Sequence, residues 1–221
     1  MSVELTELSG FQRDLLTAAV SLDSRGERVA GADIKEIVEE RLDGEVNHGR
    51  LYPNLDTLFQ KDLIERGMVD RRTNSYQPTA RGRQLVSERG DALATLCDCA
   101  GVHHVRPVEE TDAGVRWASL AGFQRDLLVA IGFLSLGESD IIGLDVRDRL
   151  GEQMGVEITN ARLYTNLDVL VEPGLVAKGS VDGRSNSYEL TADAWRLIRH
   201  QQVVLEEATE VQLIADGGDE A

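Results

Sequence analysis

The nine residues at 8–16 return almost letter for letter at 120–128. The same separation of 112 positions relates Arg50-Leu51-Tyr52 to Arg162-Leu163-Tyr164, Asn54-Leu55-Asp56 to Asn166-Leu167-Asp168, and Asn74-Ser75-Tyr76 to Asn186-Ser187-Tyr188. One separation serves from position 8 to position 80 with no net insertion, so each copy reads as a compact folding unit whose loop lengths are set by its geometry. The chain reads as a tandem duplication, and two copies in one chain amount to a built-in dimer. A length of 221 residues fits two domains of roughly 100 residues each. The boundaries follow as 1–100 for the first domain, 101–118 for a linker and 119–221 for the second.

Hydrophobic periodicity gives the elements. Phe11, Leu15, Leu16, Ala19 and Leu22 recur at three- and four-residue steps and mark one face of a first helix. Ile34, Ile37, Val38 and Leu42 mark a second, which Asp43-Gly44 stops. Asn47 can cap a third helix with Leu51, Leu55, Leu58 and Phe59 inward. Pro53 is tolerable if it lies in or next to the first turn, where few backbone N–H groups have partners to lose. Alternation over 63–69 and 75–78 predicts two short strands around a turn. Thr79 then caps a fourth helix through Leu85, Val86, Leu93 and Leu96.

Helix, helix, helix, hairpin, helix is the order of a winged helix-turn-helix, and the second copy repeats it. The expected fold is mainly α with small β-hairpins, an α+β arrangement of two tandem winged helix-turn-helix domains with long C-terminal helices. The last of these carries an apolar stripe from Ala194 through Leu197, Ile198, Val204, Leu205 and Ala208 to Val211 and Ala215. Such a stripe needs a partner. Either the other copy's fourth helix closes an internal pseudo-dimer, or the same helix of a second chain makes a homodimer.

If Leu51, Leu55 and Leu58 face the core, the opposite side of the third helix carries Gly49, Pro53, Thr57 and Gln60, flanked by Arg50 and Tyr52. A helix of this kind can enter the major groove of double-stranded DNA, with Arg50 reaching guanine or phosphate and Thr57 or Gln60 reading base edges. The alternative is that Arg50 and Tyr52 brace the neighbouring helix. Between 66 and 83 the basic residues are Arg66, Arg71, Arg72, Arg81 and Arg83 against one acid, Asp70. Arg71 and Arg72 could follow phosphates or the minor groove, while Asn74 stabilises the turn. The second copy offers Arg162, Tyr164, Arg184 and Asn186, with one wing arginine where the first has two. Asp56 and Asp168 would be repelled by phosphate unless each pairs with a nearby arginine.

The stretches Gly49-Arg50-Leu51-Tyr52-Pro53-Asn54-Leu55, Leu63-Ile64, Asn74-Ser75-Tyr76 and Thr79-Ala80-Arg81-Gly82-Arg83 resemble the PadR family of transcriptional regulators. In that family a Leu-Tyr-Pro stretch opens the recognition helix and a Tyr-x-Leu-Thr-x-x-Gly stretch joins wing to final helix. The resemblance is close over 8–90 and looser over 120–195, where Thr165 replaces the proline and Ala194 the glycine. It implies a sequence-specific DNA-binding regulator, a repressor by expectation. The competing reading is a protein-interaction module that kept the fold and lost DNA.

Acids number 39 against 23 basic residues, for a net charge of −16, and only three of the bases are lysines: Lys35, Lys61 and Lys178. At ~1 M salt the Debye length falls to ~3 Å and such self-repulsion is largely screened. The composition resembles that of proteins from salt-loving archaea, so net charge does not exclude nucleic acid. The longest apolar run, at 127–136, is ten residues, about half a membrane span. The acidic N-terminus lacks the start of a secretory signal, and a cytoplasmic location is expected. No resident cofactor is expected and no enzyme motif is present. Cys97, Cys99, His103 and His104 fall within eight residues and could supply ligands for zinc or a redox-sensing pair, although the spacing is not that of a finger. The bland alternative puts Cys97 in the core and the histidines in a solvated loop.

Overall fold

The computed structural model describes residues 4–70, 73–137, 140–181 and 185–215, with side chains over the same ranges apart from 69–70 and 210–215. The elements are α1 (Gly10–Ser24), α2 (Gly31–Leu42), α3 (His48–Gln60), β1 (Ile64–Asp70), β2 (Thr73–Pro78) and α4 (Ala80–Cys99). They are followed by α5 (Gly122–Leu134), α6 (Gly143–Met154), α7 (Asn160–Val171), β3 (Val176–Ser180), β4 (Asn186–Leu190) and α8 (Ala192–Ala215). The order expected from the periodicity is the order found, an α+β arrangement of helices with two small antiparallel sheets.

Capping side chains set where the helices begin. Ser9 Oγ accepts from the Gln12 N–H at 3.2 Å while Gln12 Oε1 accepts from the Ser9 N–H at 3.0 Å, closing a capping box on α1. Asn47 accepts from the Arg50 N–H at 2.8 Å and Thr79 from the Gly82 N–H at 3.0 Å, as their positions suggest. With α3 starting at His48, Pro53 lies in the second turn, next to the first. It has no N–H to give the Gly49 carbonyl, on the exposed side of the helix.

The contacts divide the chain into two compact units, one of Met1–Asp91 with Gln202–Ala221 and the other of Ala92–Gln201. This differs from boundaries at 100 and 119. Helices of 20 and 24 residues rise about 30 Å or more, so α4 and α8 each outrun one small unit. In the first unit Leu205 of α8 lies against Gly90 of α4, 3.5 Å from where a Cβ would stand. Most of the segment 101–118 is exposed, with a few local anchors. Thr111 and Trp117 are buried, Glu110 bridges Arg116, and the Arg116 guanidinium meets the carboxylates of Glu109 and Glu110.

Each unit has the same core. Leu15, Leu16, Ile34, Val38, Leu51, Leu55, Leu58 and Leu63 are fully buried in the first, and Leu127, Leu128, Val146, Leu150, Leu163, Leu167, Leu170 and Leu175 in the second. Left-handed backbone at Asp43 (φ 51°) and Asp62 (φ 55°) recurs at the equivalent Gly155 (φ 63°) and Gly174 (φ 76°). Geometry is therefore held where the residue is not.

Two features depart from the periodicity. Almost all of α1 is buried, Arg13, Asp14, Thr17 and Ser21 included, because α2, α3 and β2 all pack on it. Its polar groups are satisfied locally, with Arg13 Nε donating to the Leu8 carbonyl at 3.1 Å and Thr17 Oγ1 to the Arg13 carbonyl at 2.9 Å. Phe59, expected inward, is 40% exposed and lies beneath the Arg66 guanidinium.

The hairpins pair Ile64 with Pro78 through Met68 with Asn74, and Val176 with Leu190 through Ser180 with Asn186. A third segment joins each sheet edge. Tyr76 N–H donates to the Val29 carbonyl at 2.8 Å and Tyr188 N–H to that of Ile141 at 2.9 Å, which ties each wing to the start of α2 or α6.

The closest backbone approach is at Gly82, where a Cβ would stand 2.1 Å from the Leu63 carbonyl oxygen. The equivalent residue in the second unit is Ala194, fully buried. Gly82→Ala should lower stability by about 1–3 kcal/mol, whereas Ala194→Gly should cost no more than about 1 kcal/mol. Thermal unfolding of the two variants in the same KCl buffer checks the contrast.

Candidate nucleic-acid interface

The third helix of each unit is fastened from behind by the same set of contacts. Three leucines, 51, 55 and 58 or 163, 167 and 170, sit in the core at one side of the helix. Arg50 lies with its guanidinium carbon 4.0 Å from the centre of the Phe11 ring, and Arg162 lies at the same distance over Phe123. Gln12 Nε2 donates to Asn54 Oδ1 at 3.0 Å, and Gln124 Nε2 to Asn166 Oδ1 at 3.2 Å. Each asparagine also donates to the carbonyl of its arginine four residues back.

Arg50 and Arg162, both exposed, thus rest on α1 and α5. The cause is a cation–π contact on an aromatic ring, worth about 0.5–1 kcal/mol at an exposed site. Tyr52 and Tyr164 brace too. Their rings cover Gly31 and Gly143, where an added Cβ would meet ring carbons at 3.1 Å and 2.7 Å. Both stay partly open, at 37% and 41% exposure. His48, which the pattern did not single out, stacks on Tyr52 with ring centres 5.5 Å apart. In the second unit Asn160 takes that place, and a cavity of about 320 Å³ opens between Tyr164, Arg147, Asn160 and Asn186.

Asp56 pairs with Arg66 at 3.0 Å, as expected, while Asp168 pairs at 3.2 Å with a lysine, Lys178, instead of an arginine. The Asp168 carboxylate raises the Lys178 pKa, so this cation stays charged. Exposed pairs of this kind contribute at most about 1 kcal/mol. Their effect here is to neutralise an acid beside the outward side of the helix.

That outward side holds Gly49, Pro53 and Gln60, all exposed, with Thr57 half-buried and its hydroxyl donating to the Pro53 carbonyl at 2.9 Å. In the second unit the corresponding residues are Ala161, Thr165 and Val169 of α7 and Glu172 just past its end, all exposed. Among the described residues the side chains of Gln60 and Glu172 have no hydrogen-bond or ionic partner.

The wing is less basic than its sequence. Arg66 is held by Asp56, Arg83 by Asp23 at 2.7 Å, and Arg81 lies 3.8 Å from Glu88. Arg71, Arg72 and Arg184 lie outside the described residues. Asn74 is a strand residue opposite Met68, not part of the turn, and Asn186 opens β4 opposite Ser180. Both are exposed.

The Cys/His cluster is not assembled. The helix α4 runs to Cys99, and residues two apart on a helix point to nearly opposite sides, so Cys97 is buried and Cys99 exposed. The His103 and His104 rings meet edge to face. Among the described residues no three of His, Cys, Asp or Glu are grouped to hold a metal ion.

The Gln–Asn clamp can be tested by truncation. Asn54→Ala and Asn166→Ala should each lower stability by about 1 kcal/mol, and by similar amounts. A loss confined to one variant in thermal or urea unfolding would show that the two clamps are not equivalent.

Comparison with known proteins places these features. The profile of the transcriptional regulator PadR-like family matches residues 22–88, from the end of α1 into α4. Among solved structures, the complex hsRosR-S1 is 37% identical over 44% of this chain and 84% of that one, with a TM-score of 0.38. RosR of H. salinarum grown from NaBr is 40% identical over 41% of this chain and 78% of that one, with a TM-score of 0.35. The complex hsRosR-S4 is 30% identical over 45% and 89%, also at 0.35. No curated protein sequence matches the chain.

Proposed function

Since this chain belongs to the PadR-like family of transcriptional regulators, we propose that it is a sequence-specific binder of double-stranded DNA that represses transcription. The observation that carries this reading is the division of labour on α3. Most large residues around the helix are engaged with their own unit, through Leu51, Leu55 and Leu58 inside and Arg50, Tyr52 and Asn54 at the sides, and Gln60 is left without a partner among the described residues. The side pointing away from the core is left with uncharged residues, Gly49, Pro53, Thr57 and Gln60. Such a side approaches the floor of the major groove without steric or electrostatic cost, and Thr57 and Gln60 can then exchange hydrogen bonds with base edges. The wing would lie along the backbone or in the minor groove, its contribution resting on Arg71 and Arg72 in the first unit and Arg184 in the second. A protein bound at a promoter occupies the surface that the transcription machinery needs, so repression is the expected sign. Its place of action is then the cytoplasm, and among the described residues no helix is long and apolar enough to cross a membrane.

The two units would act as an internal pseudo-dimer. A further copy joined through α8 would show as a dimer in sedimentation. The acidic, lysine-poor composition fits a salt-adapted protein of haloarchaeal type. With a net charge of −16, folding should strengthen as salt screens the repulsion. The midpoint of thermal unfolding should rise steadily between about 0.1 and 2 M KCl, and a flat profile would remove the salt-adaptation argument.

The binding test is a gel shift in concentrated KCl with the DNA upstream of the protein's own gene. A discrete retarded band that survives excess unrelated duplex is expected. Retardation of every DNA alike, or of none, would leave an interaction module as the function.

A further inference from the structure

On the third helix the two units keep the same bracing contacts but differ along the outward side. The bracing residues are the same at both places: Arg50 and Arg162 over phenylalanine at 4.0 Å, Asn54 and Asn166 clamped by glutamine at 3.0 Å and 3.2 Å. On the outward side Pro53 becomes Thr165, Thr57 becomes Val169 and Gln60 becomes Glu172.

We infer that α3 and α7 read different base sequences, so that the DNA this chain recognises is not a repeat of one half-site. The inference rests on the DNA-binding reading above. A protein made of two separate identical chains presents the same residues twice and selects a symmetric site. Here one chain carries two unlike helices in fixed one-to-one ratio, and that requirement falls away.

The chemistry of each side chain gives the difference a direction. Thr57 keeps a hydroxyl that can accept from an exocyclic amino group, and Gln60 can bond an adenine with two hydrogen bonds. Val169, 44% exposed, has no polar atom and suits the methyl group of thymine. Glu172 can only accept when ionised, which suits the amino group of cytosine and repels the acceptors of guanine. The half-site under α3 is therefore the one that demands adenine, and the half-site under α7 favours thymine and cytosine.

The test is selection from a library of randomised duplexes by the intact chain in concentrated KCl, repeated with the variant Val169→Thr/Glu172→Gln. Both substituted residues are exposed, and an unchanged unfolding midpoint shows that the variant is folded. Two unlike half-sites are expected from the native chain. In the variant the second half-site should move towards the first, with affinity for the native site falling by about tenfold or more, a loss typical of one or two mismatched base contacts. Enrichment of the same half-site twice overturns the inference and leaves DNA binding standing. A single half-site, unaffected by the variant, overturns it by showing that α7 reads nothing. No enrichment at all sinks the DNA-binding reading itself, and this inference with it.

Discussion

The seat of α3 on α1, and of α7 on α5, is the contact on which the rest of each unit depends. Three leucines on one side of the third helix are fully buried, and each contributes about 1.5–3 kcal/mol relative to exposure. That burial fixes the helix axis but leaves its rotation free to slip. The cation–π contact of Arg50 on Phe11 and the hydrogen bond of Gln12 to Asn54, both directional, hold one flank, and Tyr52 over Gly31 holds the other. A helix held on three sides presents one face in a fixed orientation. Preorganisation of this kind lets a small row of side chains discriminate between ligands without a large ordering cost on binding.

The wing is fixed by a different device. A hairpin of two strands is marginally stable alone. Here the segment before α2 adds a backbone bond from the Tyr76 N–H to the Val29 carbonyl, and Tyr76 itself is buried. The ring of Tyr52 then closes over Gly31 beside it. Hairpin, second helix and third helix meet at one glycine, so a movement of the wing would be felt at the third helix. The second unit repeats the arrangement at Ile141, Gly143, Tyr164 and Tyr188, with a small cavity where the first unit has His48.

Charge is handled by pairing more than by sign. An acidic chain that is to approach a polyanion must keep its carboxylates from facing the phosphates. Asp56 is matched by Arg66, Asp168 by Lys178 and Asp23 by Arg83. These exposed pairs add little stability, but each removes a local repulsion. Arginine suits this role because its planar fork can bond a carboxylate through two groups at once, as Arg83 does to Asp23 through Nε and Nη2.

Much of this was legible in the sequence, because the information was local or repeated. Periodicity placed the helices, Asn47 and Thr79 marked two helix starts, and the separation of 112 residues tied the second copy to the first wherever composition alone was ambiguous. The pairing of Asp56 with an arginine followed from electrostatics. What the tertiary structure decided was everything set by neighbours distant in the chain. That Arg50 stacks on Phe11, that α1 is buried all round, that Phe59 is exposed and that Thr111 and Trp117 are buried depend on which surfaces meet, and one-dimensional periodicity carries no such record. The separation of Cys97 from Cys99 came from the length of α4, since a helix that continues past both turns them to opposite sides. The ends of α4 and α8 fell to different units for a related reason: a helix grows by local hydrogen bonds, but what covers its apolar face is settled by packing.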